Sequence, residues 1–576
     1  MRFRRNSLIP LLLLCLLASV VQAASMRPAH AQHAMVASMH ELASRAGVEM
    51  MQAGGNAVDA AVATGFALAV VHPQAGNLGG GGFMLIRMAD GVTHFIDYRE
   101  KAPAAANADM YLDAQGNVIE NASLVGYKAI GVPGSVAGLA YAQKTYGKLA
   151  LAQVIAPAIK LAREGYALAW EDAQDLRDED LGKFPESKRI FQRDGNYYQQ
   201  GEILRQPDLA RTLERIARNP DEFYHGAMAR ELAADIQKGG GLVTAGDLAH
   251  YEVKERGVIR GTYRDYDIIS APPPSSGGIA LLEILNILEG YDIAKAGNRS
   301  AQGIHLTAEA FRRAFFDRAE FLGDPDFARI PVAQLIDKRY AAGWRESIDL
   351  DHASVSKELK RPAVFSELET YAATHPAARA AREPENTTHY SVVDAAGDAV
   401  AVTTTLNDTL GSRVTAGGLG FLLNDEMDDF SSKPGVPNSY GLIQGPANAI
   451  GPGKRPLSAM TPTIVLKDGK LYLVLGAEGG PTIITTVANI LMGVVDFGLD
   501  IQDSVNAPRF HHQWLPDELR LEDRISPDTV RLLKNKGHKI LMEHFWADAE
   551  CIAIDPKTNE RLGAPDGRNN GKAVGY

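Results

Sequence analysis

Glu385-Asn386-Thr387-Thr388-His389-Tyr390 is where this chain changes character. Upstream, residues 351 to 385 are polar and alanine-rich, and Pro362, Pro376 and Pro384 break any long helix, so this stretch reads as an exposed connection. Downstream, Tyr390-Ser391-Val392-Val393-Asp394, a turn holding Gly397, and Ala399-Val400-Ala401-Val402 running into three threonines read as a β-hairpin. With Asp394 opposite Ala399, Thr388 falls opposite Thr405, and Thr387 lies beside Thr405 with Asn407 just beyond. A threonine hydroxyl is a poor nucleophile until a base takes its proton. An α-amino group, ordinarily titrating at about 7.7 to 8.0, is such a base. Cleavage of the Asn386-Thr387 bond puts that base and the hydroxyl on one residue. The plain alternative is that Thr387 merely opens a strand.

Working outward, Arg2, Arg4 and Arg5 precede an apolar run from Leu8 to Val21 that closes with Val21-Gln22-Ala23, which reads as a secretory signal over residues 1–23. The run is shorter than the roughly 20 residues a membrane span requires, and no later segment supplies one free of charges. The mature chain is therefore expected to be soluble and exported. Cys15 lies in the signal, which leaves Cys551 without an internal partner, and export without disulfides suits a bacterial periplasm. Loss of the three arginines takes the formal net charge from −11 to −14, a balance that repels phosphate backbones and anionic lipid. Nucleic acid is not an expected partner. The mature chain also exceeds the roughly 250 to 300 residues at which one core stops growing, so two lobes or one large layered core are expected.

The remaining segments are helical and β in turn. Residues 41 to 71 read as two packed helices, with Gly54-Gly55-Asn56 as stop and Asn56 or Asp59 as the next start. Gly76 to Gly82 enters the strand Phe83-Met84-Leu85-Ile86 rather than leaving one, which is the wrong order for a phosphate loop and points to tight backbone packing. Helical patterns fill much of 136 to 350, including Leu149 to Glu164 and His305 to Leu322, interrupted by Pro272-Pro273-Pro274. Thr463 to Lys467 and Lys470 to Gly476 form a second strand pair. Other chemistries find little support. His40-Glu41 lacks the second histidine of a zinc helix because position 44 is Ser44. Ser135 lacks the flanking glycines of a nucleophile elbow. His511 and His512 point to opposite sides of a strand and read as packing.

Several longer motifs then occur in order: Asn77 to Phe83, Asp97-Tyr98-Arg99-Glu100, Pro272 to Gly278, Gly323-Asp324-Pro325-Asp326, Asn386 to Tyr390, Met427-Asp428-Asp429-Phe430, Lys454-Arg455-Pro456-Leu457-Ser458 and Asn506 to Trp514. Together they span essentially the whole mature chain, which resembles a bacterial γ-glutamyltransferase. The resemblance implies an N-terminal nucleophile hydrolase fold, a four-layer αββα sandwich, made as a precursor that cuts itself. The large subunit would be residues 24–386 and the small, catalytic subunit residues 387–576, the two remaining together as a heterodimer. It also implies the reaction: transfer of a γ-glutamyl group from glutathione or another γ-glutamyl amide to water, an amino acid or a dipeptide, with no cofactor and no metal.

On that resemblance Thr387 is the nucleophile and Thr405 the hydroxyl that supports it. Arg99 clamps the donor's α-carboxylate, a task suited to a planar guanidinium, and Ser458 assists. Asn407, Glu426 and Asp429 receive the α-ammonium, Gly479 and Gly480 supply backbone N–H groups to the oxyanion, and Tyr440 sits in a lid over residues 434–445. Without the resemblance, Asp425 to Asp429 read as a solvated acidic loop or, less well, a calcium site. Some relatives carry glutamine at the position of Glu426, and the acid is expected to tighten ammonium binding. Two departures stand out: Ala459 where many relatives have a second serine, and Glu478 just before the glycine pair. Competing readings keep the fold as an acylase for glutaryl groups or a poly-γ-glutamate transpeptidase, or make the chain an uncut binding protein. A glutaryl group has no α-amine, so the Glu426 and Asp429 pair favours a γ-glutamyl donor.

Overall fold

The computed structural model describes residues 26–193, 195–368, 387–431 and 445–576. The signal over 1–23, Asn386 and the lid with Tyr440 lie outside the described residues. Two seven-stranded antiparallel sheets stack face to face. One has the order Lys572–Gly575, Met35–Ser38, Thr388–Val393, Ala399–Thr405, Gly81–Arg87, Thr93–Asp97, Lys254–Glu255. The other has the order Ala29–Ala31, Arg561–Ala564, Cys551–Ile554, Lys470–Leu475, Thr463–Lys467, Tyr266–Ser270, Ile259–Tyr263.

Strand periodicity explains the layering. Successive side chains face opposite ways, so Tyr390, Val392, Val400 and Val402 pack with the helices Glu41–Gln52 and Ala57–Val71 on one side. Val393, Ala399 and Ala401 pack with Ile464 and Val474 of the facing sheet, behind which lie the helices Gly277–Leu288 and Thr482–Val495. The result is helix, sheet, sheet, helix: the layered core rather than two lobes. Strands covered on both faces carry near-continuous apolar runs, as Val392-Val393 and Ala399 to Val402 do.

The helix pair is set by a capping box. Asn56 Oδ1 accepts from the N–H groups of Val58 and Asp59, while Asp59 accepts from Asn56 N–H at 3.0 Å. The glycine run packs tightly against the hairpin: a Cβ on Gly80 would lie 2.0 Å from the Thr405 carbonyl oxygen. The hairpin register differs by one residue from the expectation, for Val393 faces Ala399 and Thr388 faces Thr404. Asp394 belongs to the turn, where its Oδ1 accepts from the N–H groups of Ala396, Gly397 and Asp398. Such side-chain closure of a turn is invisible to a count of alternating residues. One step beyond the last pair, Thr387 itself falls opposite Thr405. Among the described residues no helix is long and apolar enough to cross a membrane.

Candidate active site

Thr387 stands at the head of its strand, 5% exposed, with its Oγ1 3.4 Å from Thr405 Oγ1. Asn407 N–H donates to Thr405 Oγ1 at 2.8 Å. Asn407 holds a left-handed backbone, φ +83°, and its amide donates to the Asp425 carbonyl at 3.2 Å. This couples the strand end to the acidic turn Glu426–Asp429. Thr387, Thr405, Asn407, Arg99, Glu426, Asp429, Ser458 and Gly480 line one cavity. Sequence positions up to about 380 residues apart therefore converge, and only Gly479 among the described candidates does not touch that cavity.

At one end of the cavity lies Arg99, 1% exposed. Asp97 Oδ1 accepts Arg99 N–H at 3.0 Å and so fixes the backbone where its strand ends. The Arg99 guanidinium makes close ion pairs with Glu426 and Asp429, and its Nη1 lies 3.6 Å from Glu100 Oε2. Burial opposes the guanidinium charge, but Glu426, Asp429 and Glu100 outweigh it and raise its pKa above the ordinary value. Burial also pushes Glu426 well above the carboxylate range, with Arg99 opposing, and it pushes Asp425 up, with Asp408 adding to the rise. The clamp for an α-carboxylate and the acceptors for an α-ammonium are thus in mutual contact.

Another part of the lining is the start of the helix Thr482–Val495, through Gly480, Pro481 and Ile483. Gly479 and Gly480 have φ of +115° and +54°, a region that favours glycine. A Cβ on Gly479 would lie 2.5 Å from Thr482 Oγ1 and 2.8 Å from Ala547 Cβ. Helix N-termini present unsatisfied N–H groups and a positive dipole end to an anion. Glu478 is part-exposed, does not line the cavity, and donates its N–H to the Asp548 carbonyl at 2.8 Å.

Sequence reasoning missed Arg318, which lines the cavity from the helix Ala301–Phe321. Its Nε donates to Ser276 Oγ at 2.8 Å, and Ser276 Oγ donates to the Ser458 carbonyl at 2.7 Å. The signal was there: Glu309, Arg312, Arg313, Asp317, Arg318 and Glu320 put six charged side chains on one helix among alanines and phenylalanines, and each is buried. Met460, Pro481 and Ile483 complete an apolar wall. Ala459 also lines the cavity. Ala459→Ser is expected to lower the KM for a γ-glutamyl donor by about two- to tenfold, the worth of one neutral hydrogen bond of about 0.5 to 1.5 kcal/mol, in steady-state kinetics.

Groups set aside from the sequence are structural here. His511 bonds Thr485 Oγ1 at 2.9 Å and Gln513 Oε1 at 2.8 Å, and His512 Nε2 is 3.3 Å from Asp517. Ser135 Oγ donates to Asn77 Oδ1 at 2.6 Å, and His40 caps a helix by accepting from Leu42 N–H. His389, one residue into the strand, lies between the sheets against Thr403 and Ser391, and burial holds its pKa down at about 3. His305, Glu309 and His538 lie within reach of one another. Glu309 is already paired with Arg312 and Arg313, two cations that oppose a third.

A threonine heading a strand in an αββα stack, sharing one cavity with a glycine-led helix N-terminus, defines an N-terminal nucleophile hydrolase, an enzyme class built on this fold. The family model described as gamma-glutamyltranspeptidase matches residues 43–576, and the chain belongs to that family. It is 50% identical over 546 residues to a glutathione hydrolase proenzyme of Escherichia coli, covering 94% of this chain and 91% of the relative. Among solved structures it is similar to gamma-glutamyltranspeptidase of Helicobacter pylori, with 47% identity and a TM-score of 0.55, over 56% of this chain and 93% of that one. It is also similar to a cephalosporin acylase of Bacillus halodurans, with 26% identity and a TM-score of 0.82, over 97% and 98% of the two chains.

Proposed function

We propose that this chain is a γ-glutamyltransferase and glutathione hydrolase whose nucleophile, Thr387, is released by self-cleavage of the Asn386-Thr387 bond. The observation that carries the reading is the cavity itself: a threonine hydroxyl at one wall, a helix N-terminus beside it, and Arg99 with Glu426 and Asp429 at the far end. The opposite charges of that group suit the two charges of an α-amino acid, and the hydroxyl lines the same cavity, which supports a donor whose side-chain amide meets Thr387.

In maturation the Thr387 hydroxyl attacks the Asn386 carbonyl, the C–N bond breaks, and water hydrolyses the ester, leaving a free α-amine on Thr387. In catalysis that amine takes the hydroxyl proton as Oγ1 attacks the donor's amide carbon. Thr405 orients the hydroxyl, and the N–H groups at Gly479 and Gly480 stabilise the oxyanion. The amide C–N bond breaks, its nitrogen leaving with the proton, and a γ-glutamyl ester remains. Water or an amine then attacks that ester and restores Thr387. Arg99 and Ser458 hold the donor's α-carboxylate; Asn407, Glu426 and Asp429 hold the α-ammonium.

The sheet topology supports two subunits that stay together. Strands Met35–Ser38 and Gly81–Arg87 from one side of the bond alternate with Lys572–Gly575, Thr388–Val393 and Ala399–Thr405 from the other. Cleavage leaves those backbone ladders intact. The separate H. pylori chain, which matches only part of this one while itself covered almost whole, accords with such a division. The N-terminal signal supports a periplasmic location, and glutathione is the proposed physiological donor class.

The acylase reading draws on the B. halodurans likeness, but a glutaryl side chain leaves the ammonium acceptors without a partner. Comparing γ-glutamyl anilide with glutaryl anilide tests the choice. The γ-glutamyl substrate is expected to give a kcat/KM higher by at least about 100-fold, since buried polar groups left unpaired cost about 1 to 3 kcal/mol each. Equal turnover, or faster turnover of the glutaryl substrate, overturns the reading.

A further inference from the structure

Beside the end of the cavity assigned to the donor's α-amino acid lies an acid with no role yet. Glu100 follows Arg99 and is fully buried. Its surroundings are close: a Cβ on Gly81 would lie 2.5 Å from Glu100 Oε2, and one on Gly131 would lie 3.3 Å from Glu100 Cβ. Among the described residues, neither oxygen of Glu100 nor either oxygen of Glu426 has a hydrogen bond of good geometry to a protein donor. What the two share is Arg99: the same Nη1 pairs closely with Glu426 and stands 3.6 Å from Glu100, so one nitrogen of the guanidinium faces both acids.

Charge counting decides what that contact is. One guanidinium faces Glu100, Glu426 and Asp429, so ionising all three leaves a surplus of two negative charges in a buried volume. Carboxyl groups in such proximity do not both ionise, and they titrate as a pair. Two carboxyls can hydrogen-bond only when one carries a proton. Among the described residues, the other groups around the pair supply no compensating charge at close range. Asp425 adds a further acid, Arg318 lines the same cavity with its Nε donating to Ser276, and the phenols of Tyr98, Tyr224 and Tyr251 are pushed up by burial and stay neutral. Burial raises Glu100 to about 7, against the pull of Arg99, and raises Glu426 further.

We propose that Glu100 is a positioning residue that shares one proton with Glu426, so that the donor's α-ammonium meets a neutral, hydrogen-bonding carboxyl at Glu426 and its full countercharge at Asp429. This rests on the γ-glutamyl reading and deepens it. The donor's α-ammonium is already matched by Asp429, while its α-carboxylate must approach Arg99 beside these acids, so the shared proton spares that carboxylate a second neighbouring anion. Loss of that proton at higher pH weakens binding. The acid at position 426 thus acts as an amide would, rather than tightening ammonium binding as the sequence suggested.

The test is the inhibition constant of L-glutamate, with KM for γ-glutamyl anilide, from about pH 5.5 to 8.5, a window between ordinary carboxylates and lysine-type amines. Wild type is compared with Glu426→Gln and Glu100→Gln, each first shown to mature into two chains like wild type. The wild-type constant is expected to rise with pH by up to about tenfold per unit above the pair's titration. In Glu426→Gln, which has no shared proton to lose, only the smaller rise from the Thr387 α-amine, ordinarily titrating at about 7.7 to 8.0, remains, starting near the wild-type low-pH value. In Glu100→Gln the new amide donates to Glu426 and favours its anion, so the constant starts near the wild-type high-pH value and shows that same amine-linked rise alone. The effect falls on the inhibition constant and KM, not on the shape of the kcat profile. Parallel rises in wild type and Glu426→Gln overturn the shared proton, as does loss of glutamate binding by Glu426→Gln at every pH. If wild type neither binds L-glutamate nor turns over γ-glutamyl anilide, the functional reading itself fails and this proposal with it.

Discussion

Thr387→Ala is expected to remain a single polypeptide on denaturing mass analysis and to lose γ-glutamyl anilide turnover by a factor on the order of 10⁴ to 10⁶, the usual cost of removing a nucleophile. One side chain carries both effects because the same hydroxyl attacks first the Asn386 carbonyl and later the donor. The substitution is small, at a strand head with 5% exposure, and removes no backbone hydrogen bond, so the fold is retained. Thr387→Ser keeps a hydroxyl and is expected to cut and turn over more slowly. Threonine's branched Cβ restricts χ1 and holds Oγ1 towards Thr405, whereas serine samples more rotamers. A wild-type chain that yields two polypeptides, the smaller starting at Thr387, completes the comparison. Cleavage of the alanine variant at the same bond places the nucleophile elsewhere and removes the basis of the mechanism.

Arg99→Ala is expected to cost about 3 to 5 kcal/mol of stability, the usual penalty for stripping one partner from a buried ion pair. Donor kcat/KM is expected to fall by at least about 100-fold, because the α-carboxylate loses its charge-assisted partner. Glu426, Asp429 and Glu100 surround that guanidinium, so its removal leaves buried acids facing one another. The pH dependence has a definite sign. Burial raises Glu100 to about 7 and Glu426 well above its ordinary value. A carboxyl whose pKa is higher folded than unfolded binds more protons in the native state, so stability falls as pH rises from the unfolded pKa through the folded one. Without Arg99 both are raised further. The variant's melting temperature is therefore expected to fall more steeply than that of wild type between about pH 4.5 and pH 7 and beyond. Arg99→Lys keeps the charge without the fork, and is expected to recover stability better than donor affinity. A melting curve for Arg99→Ala that matches wild type at every pH contradicts the buried acid cluster.

Much of this was legible in the residues because local rules and chain order carry it. The capping box at Asn56 and Asp59, the strand pair Thr463–Lys467 with Lys470–Leu475, and the glycine run entering a strand are all set by neighbours a few positions apart. So is the abrupt change at Thr387, which placed a hydroxyl at the head of a doubly buried strand. The ordered motifs extended that reading to Arg99, Asn407, Glu426, Asp429, Ser458 and Gly480, and the cavity holds all six.

Tertiary structure decided the rest. The hairpin register moved by one residue because the Asp394 side chain closes its turn, a choice made by hydrogen bonds rather than by alternation. Arg318 entered the site because the helix Ala301–Phe321 sets that one arginine against Ser276, whose hydroxyl bonds the Ser458 carbonyl. The state of Glu426 was decided in the same way. In sequence it is one acid among four between Asp425 and Asp429, with nothing to separate a solvated carboxylate from a protonated one. Only in the fold does it come near Glu100, from the segment after a strand more than 300 residues earlier, around a single arginine and away from water. Ionisation depends on distance and burial, and neither is a property of the sequence read along its length.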